Sequence, residues 1–418
     1  MNIQLDSEVA PLAAVVVHSP GREVENMTPK TARDVLYDDI VSLPLAAREH
    51  RQLTGVLSKV AEVYELRDLL ATVLEQDSVR AGLVRVLCRL FRSPEHQAAL
   101  LERSPIELAA QLIEGTPKIA SSLEKFMAAD PYALPPLPNM FFTRDATMVL
   151  NDRVIIGSMA YRARQAEALI LKAIFKYHPS VSSGGFYFDG TDALDAEVTI
   201  EGGDLLVVRQ DLVMIGYSER TSVAGIDRLM RAIASAGPVR NFIVVEIPKA
   251  RASIHLDMLF TLVDHHACVV YPPLVQGSHR SPAYHCQFAQ QLDDDGQAVM
   301  ASIHEYSDVL SALASVGVDL EPISCGGDNP FNQDREQWSS GANFFAFGPG
   351  QVLGYRHNRY TLDAMNGAGF AVLDAEAVIA DQVSIPAQGR VVVSMDGAEL
   401  SRGGGGCRCM TLPVSRRG

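Results

Sequence analysis

Four consecutive glycines, Gly403 to Gly406, lead into two cysteines, Cys407 and Cys409, close to the end of the 418-residue sequence. Glycine adopts backbone angles closed to other residues and lets a loop approach a ligand closely. A thiol carried on such a loop is a candidate nucleophile. The plainer reading is a flexible tail with spare cysteines. Far upstream stand four short polar groups: Asn139 to Asp145, Glu201 to Asp204, His255 to Asp257, and Gly341 to Asn343. They supply Asp145, Glu201, His255 and Asp257. A histidine can move a proton, and carboxylates can orient it or hold a cation. Each residue also has an ordinary use: Asp145 as a strand cap or partner of Arg144, Glu201 as a turn residue, His255 as a structural histidine. His255 and Asp257, two apart, could simply share one exposed face of a strand.

The elements that would position these residues repeat. Four segments read as an apolar strand, a tight turn and a second apolar strand. They are 146–157, 204–217, 257–271 and 343–355, turning at Asn151-Asp152, Gln210-Asp211, Asp264-His265-His266 and Pro349-Gly350. Helical text follows each, at 161–176, 223–236, 304–316 and 359–367. A further strand is legible at 241–247, 318–323 and 370–373. An opening strand, Ala13 to Val17, a helix over 44–60 and a strand over 62–66 fit the same plan. About five strand-strand-helix-strand units therefore predict a mixed α/β chain. Such units bury their sheets when arranged around an axis with helices outward, so a β/α propeller is expected, with an open α/β sheet as the alternative. Residues 67–129 differ: Leu, Ala, Glu, Arg and Gln dominate, and Ser93-Pro94 and Ser104-Pro105 read as helix starts. An inserted all-helical domain is expected there, with residues 1–66 and 130–418 forming the main domain.

Each polar group precedes the first strand of a hairpin, so pseudo-symmetry would gather Asp145, Glu201, His255 and Asp257 about the axis. Cys409 falls where the chain could return to the first unit. Arginines recur after the second hairpin strands: Arg162 and Arg164, Arg220, and Arg356. Ahead of a helix they can fork onto a carboxylate, although Arg162 and Arg356 also read as solvated loop residues. Two carboxylates match the paired N–H donors of a guanidinium, and arginines at the far end match an α-carboxylate. The set points to a ligand such as arginine. A thiolate would attack the guanidinium carbon, and His255 would protonate the departing nitrogen and then activate water. Glu201 would orient His255 and favour its charged form.

Composition sets the outer bounds. Apolar residues make up 47% and charged residues 21%, enough core and too little charge for disorder. The net charge of −14 disfavours nucleic acid or an anionic membrane as partner and mildly favours a cationic small molecule. Met1 to Ala10 carries no secretory pattern, and the uncharged run 337–355 is broken by glycines, so neither export nor a membrane span is expected and the protein reads as cytoplasmic. Six scattered cysteines do not suggest a disulfide framework. Cys407-x-Cys409 lacks both the usual zinc spacing and a second pair, so no metal is expected.

The chain resembles the arginine deiminases of the guanidino-group-modifying superfamily. The resemblance rests on NMFFTRD at Asn139 to Asp145, EGGD at Glu201 to Asp204 and SERT at Ser218 to Thr221. HLDM at His255 to Met258, RCMTLP at Arg408 to Pro413 and VHSPG at Val17 to Gly21 complete it. It implies a five-fold pseudo-symmetric β/α propeller (a pentein propeller) of ββαβ units with an inserted helical-bundle domain. It also implies hydrolysis of L-arginine to L-citrulline and ammonia, without metal or organic cofactor. By motif, Cys409 is the nucleophile, His255 the general acid and base, Glu201 its partner, and Asp145 and Asp257 the guanidinium clamps. Asn139, Arg164 and Arg220 would meet the substrate carboxylate, with Gly406 also at the substrate. L-Arginine and water are the implied partners, and a homo-oligomer is left open. Many family members carry an arginine five residues before the nucleophile, where this chain has Gly404. The competing expectations are an amidinotransferase, a deiminase acting on another guanidine, and a non-catalytic arginine-binding protein on the same scaffold.

Overall fold

In the computed structural model the apolar run near the start becomes β1 (Leu12–Val17), almost wholly buried. All residues are described except 30, 34, 38, 119–122, 124–126, 128–130, 193–196 and 418. A helix, Leu43–Leu57, begins at Ser42 with Pro44 in its first turn, where a proline costs no hydrogen bond. It is followed by β2 (Glu62–Glu65). The expected helical stretch then opens one residue early, at the helix Leu66–Leu74. It continues through Asp77–Leu90, Gln97–Leu101 and Pro105–Glu114. Ser104 starts the last of these with a capping box, exchanging bonds with Glu107. A short pair follows, β3 (Thr116–Pro117) and β4 (Tyr132–Leu134). The far end of the expected helical region, residues 119–122, 124–126 and 128–129, lies outside the described residues.

Every expected hairpin forms. They are β5 (Thr147–Leu150) with β6 (Arg153–Ile156), then, after β7 (Phe186–Asp189), β8 (Leu205–Arg209) with β9 (Leu212–Tyr217). After β10 (Asn241–Glu246) come β11 (Phe260–Asp264) with β12 (Ala267–Val270). Next is a long hairpin absent from the expectation, β13 (Ala283–Leu292) with β14 (Ala298–Tyr306), and then β15 (Glu321–Ser324). The chain ends with β16 (Phe345–Gly348), β17 (Gln351–Tyr355), β18 (Ala371–Asp374), β19 (Val391–Met395) and β20 (Leu412–Arg416). The helices Gln165–Tyr177, Val223–Ala236 and Arg359–Gly367 follow their hairpins as expected.

Two expectations change. The helix expected over 304–316 is only Val309–Ser315, because 304–306 pair with β13 and the Asp308 side chain caps the helix at the Ser311 amide. The strand expected over 370–373 is β18, but it is the exposed edge. The buried VVVSM run of β19 sits between it and β17, as suits a parallel strand covered on both faces.

Five sheets share one pattern. A central strand pairs antiparallel with one neighbour and parallel with another: β6 with β5 and β7, β9 with β8 and β10, β12 with β11 and β15, β17 with β16 and β19. In the fifth, β1 lies parallel to β2 and antiparallel to β20, so the C-terminal strand returns to the first sheet. The fold is thus mixed α/β with several small sheets. One continuous set of buried residues joins the helices of 66–114 to β5, β6 and the helix Gln165–Tyr177. Among the described residues no helix is long and apolar enough to cross a membrane.

Candidate active site

The polar groups ahead of the hairpins fold as single tight turns. Thr143–Ala146 is one helical turn, and Gly202–Asp204 and Leu256–Met258 are 3-10 turns. Glu201 and His255 occupy the extended position just before their turns, with φ −125° and −140°. His255 and Asp257 therefore do not share one exposed face of a strand, the ordinary alternative for the pair. A turn separates them and sends them to different partners. The glycines after Glu201 are required by close approach: a Cβ on Gly203 would lie 2.4 Å from His255 Nδ1, and one on Gly202 2.1 Å from the Arg144 carbonyl oxygen. Asp204 ties the two turns together, accepting from the Leu256 amide at 2.8 Å and the Ser218 hydroxyl at 2.6 Å. Burial lifts its carboxyl to about 6.

These turns bring the expected residues together. His255 Nε2 lies 3.0 Å from Glu201 Oε2, and its Nδ1 lies 3.9 Å from Asp145 Oδ1. Burial opposes the charge on His255, but Asp145, the bond to Glu201 and Asp204 outweigh it and raise the imidazole to about 9. Burial likewise opposes ionisation of Glu201, and Arg220, His255 and Arg164 overcome it, holding the carboxyl down at about 2. Histidine is thus imidazolium and glutamate is carboxylate at neutral pH. The Cys409 thiol lies 3.6 Å from Asp257 Oδ2. Burial, then Asp257 and Asp145, push it well above the ordinary thiol value, so the thiol is neutral until the carboxylates are offset by a cation. Asp145 Oδ1 and Asp257 Oδ1 are both buried without a hydrogen-bond partner among the described residues. Two such oxygens beside a thiol fit the N–H donors of a planar cation.

The other expected residues are also placed. Arg164 Nη1 donates to Asp145 Oδ2 at 2.6 Å, and its Nε and Nη2 donate to Glu167 Oε2 at 3.1 and 2.8 Å. Three carboxylates face this guanidinium, and burial raises one of them, Glu167, to about 7. Arg220 Nη1 donates to Glu201 at 3.3 Å, with the guanidinium over the Tyr161 ring. Asn139 Nδ2 donates to the Val35 carbonyl at 2.7 Å. Arg162 reaches the Leu90 carbonyl and Arg356 pairs with Asp374 and Asp396, both away from the site. Gly406 does not line the space beside the thiol: it packs under Asn343, where a Cβ would meet Oδ1 at 2.6 Å.

Three contributors were not singled out from sequence. Asn343 accepts from the Arg408 and Cys409 amides at 2.9 and 3.3 Å and donates to the Asp257 carbonyl at 3.1 Å and Cys409 Sγ at 3.3 Å. It lay in a polar group already noted, which was the available signal. Arg408, next to the thiol, is fully buried and bonds Asp257 Oδ2 at 2.8 Å and Glu8 Oε1 at 2.9 Å. Burial opposes ionisation of Glu8, but Arg408 and Arg144 hold it at about 2. Arg251 is the third. It lines the space beside the thiol together with Asn139, Asp145, Arg164, Arg220, His255, Cys409 and Gly403 to Gly405. This space is small, about 20 Å³, room for a single water. Arg251 and Gly404 also line a neighbouring recess of about 260 Å³ with Asp39, Met258, Trp338 and Arg402.

Asp145, Glu201 and His255 each offer an atom within 4.8 Å of the others, a spacing a metal ion could bridge. The surroundings do not suit one: Arg164 and Arg220 already pair with these carboxylates and the imidazole is protonated. The six cysteines are free and buried, and Cys407 contacts Met395 Sδ at 3.6 Å.

Comparison with known proteins gives two results. A family model described as arginine deiminase matches residues 33–416. Solved structures share the fold at low identity. Unliganded AgrE has a TM-score of 0.53 at 14% identity, over 96% of this chain and 39% of that one, so this chain spans well under half of AgrE. The product-bound N-terminal domain of ArgZ, described as an arginine dihydrolase of the ornithine-ammonia cycle in cyanobacteria, has a TM-score of 0.52 at 14% identity, over 96% and 97%. SxtG, an amidinotransferase from Microseira wollei, has a TM-score of 0.51 at 15% identity, over 100% and 98%.

Proposed function

The chain belongs to the arginine deiminase family, and from that premise we propose that it hydrolyses L-arginine to L-citrulline and ammonia through a covalent intermediate on Cys409. The observation that carries this reading is the pair of unpartnered, buried carboxylate oxygens, Asp145 Oδ1 and Asp257 Oδ1, beside the Cys409 thiol and the His255 imidazolium. A guanidinium held by the two carboxylates offsets the charges that keep the thiol protonated. The thiol releases its proton to water and Sγ attacks the guanidinium carbon. The S–C bond forms, one C–N bond breaks, and His255 gives its proton to the departing ammonia. The neutral imidazole next takes a proton from water. Hydroxide adds to the thiouronium carbon, the C–S bond breaks, the hydroxyl proton returns to sulfur, and the ureido product leaves. Glu201 orients the imidazole throughout.

Within the same proposal the five like-patterned sheets are the blades of a five-fold pseudo-symmetric propeller, and 67–129 is a helical insertion in it. The repeated antiparallel-and-parallel pairing and the return of β20 to β1 support that reading. The functional test is incubation with L-arginine and mass spectrometry of acid-quenched protein. Citrulline, ammonia and an adduct on Cys409 are expected. Ornithine formed only with an added amine acceptor indicates amidino transfer instead, and full turnover by a Cys409→Ser variant rejects the covalent step.

A further inference from the structure

We propose that Glu8 is a positioning residue for the guanidinium clamp. It holds Arg408 so that this side chain takes one oxygen of Asp257 and leaves the other, Oδ1, open to substrate. This inference rests on the arginine-hydrolysing reading of the site.

The two oxygens of Asp257 keep different company. Oδ2 accepts from Arg408 Nη1 at 2.8 Å and lies 3.6 Å from Cys409 Sγ. Oδ1 is buried without a hydrogen-bond partner among the described residues. A buried arginine beside a carboxylate gains most by forking onto both oxygens, because the bidentate pair is the stronger one. At Asp257 that fork would cover Oδ1 and leave no acceptor for a guanidinium ligand.

Glu8 directs the fork elsewhere. Its Oε2 accepts from Arg408 Nε at 3.3 Å and its Oε1 from Nη2 at 2.9 Å, and Nη2 also donates to the Leu205 carbonyl at 2.6 Å. Both protons of Nη2 are thus engaged, and only Nη1 is left to reach Asp257. Glu8 is itself held. It lies ahead of β1, and its amide donates to the Val207 carbonyl of β8 at 2.7 Å. Arg144 Nη1 stands 3.5 Å from Oε1. Arg144 in turn donates from Nε to the Thr411 carbonyl at 2.9 Å and from its amide to the Cys409 carbonyl at 3.1 Å. Residues at the two ends of the chain therefore fix one guanidinium against the site. Without the Glu8 carboxylate, two buried N–H groups of Arg408 lose their acceptor. Asp257 is then the carboxylate left to Arg408, and the guanidinium turns to fork on it.

The test uses the full chain with Glu8→Gln and Glu8→Asp, each shown folded by thermal melting. L-Arginine is titrated calorimetrically against the Cys409→Ser protein with and without each change, and a crystal structure of the variant gives the Arg408 contacts. Loss of one charge-assisted contact predicts that Glu8→Gln weakens L-arginine roughly 10- to 100-fold in Kd. Arg408 should then lie within hydrogen-bond distance of both Asp257 oxygens. Glu8→Asp keeps the charge on a shorter stem, so it should show the same changes at smaller size. It supplies both readouts should Glu8→Gln not fold. Arg408 remaining on Oδ2 alone, or a Kd equal to that of the parent, overturns the inference. Failure of the parent to form citrulline would reject the functional reading instead, and the crystal structure, which needs no substrate, would still show whether Glu8 keeps Arg408 off Oδ1.

Discussion

At the scale of single residues, the site depends on contacts too close to tolerate added atoms. Gly203 has room for no side chain because His255 lies where its Cβ would be. Gly203→Ala should therefore displace the imidazole and lower kcat by roughly 100-fold, since misplacing a catalytic group by about 1 Å has that order of effect. Steady-state kinetics on a variant shown folded by thermal melting checks it. His255 also sets a pH limit. Its imidazole titrates at about 9 because Asp145, Glu201 and Asp204 outweigh the cost of burial. In the proposed reaction the protonated form is the acid, so kcat/KM should hold through neutral pH and fall as pH rises through about 9. A profile falling near 6.5 would mean the carboxylates do not act on the ring. That Asp145, Glu201, His255 and Asp257 lie together was legible from sequence because reactive residue types recur at one position of each repeat, and Cys409 joins them where the chain returns to the first unit. Arg408 and Glu8 were not. A buried ion pair 400 residues apart in sequence leaves no local pattern, and nothing in the neighbourhood of Arg251 distinguishes it from a surface arginine.

At the scale of elements, the hairpins were legible because each is a pair of apolar runs around turn residues, Asn151 and Gly350 among them, both with positive φ. The hairpin of β13 and β14 was not. Its strands carry many exposed polar residues, and His304 to Tyr306 merges into the helical text after it. A different kind of tie joins β1, β2 and the first helices. His18 Nδ1 meets Glu65 at 3.0 Å and Nε2 meets Glu23 at 3.1 Å, while Arg67 reaches Glu23 and Glu114. Burial opposes the charge on His18, but its bonds to Glu23 and Glu65 raise it to about 9. Against burial, His18 and the Ser19 amide hold Glu65 at about 2. The His18 contribution is fully present below its unfolded value near 6.5 and is lost as pH rises through 9. The Glu65 contribution is present above about 4.5 and is lost as pH falls towards 2. Denaturant titrations should show His18→Gln less stable than the parent by up to about 3 kcal/mol near pH 6, with the gap closing above pH 9. A gap independent of pH would show that packing, not charge, is lost.

At the scale of the whole molecule, the last strand closes the first sheet and carries the thiol with it. Leu412 and Val414 are fully buried, and Arg416 donates to the Ala346 carbonyl at 2.7 Å. Leu412→Ala should cost about 2–5 kcal/mol, as buried leucine truncations do. Because Cys409 lies three residues ahead, it should also lower the rate of adduct formation with L-arginine, measured by quenched-flow mass spectrometry. An unchanged adduct rate in the destabilised protein would uncouple the strand from the thiol. The space beside Cys409, about 20 Å³, is the size of one water. A guanidinium is larger, so any such ligand that reaches the thiol must push the walls of this space apart. Gly403, Gly404 and Gly405 form part of those walls, and glycine is the residue whose backbone yields with least hindrance.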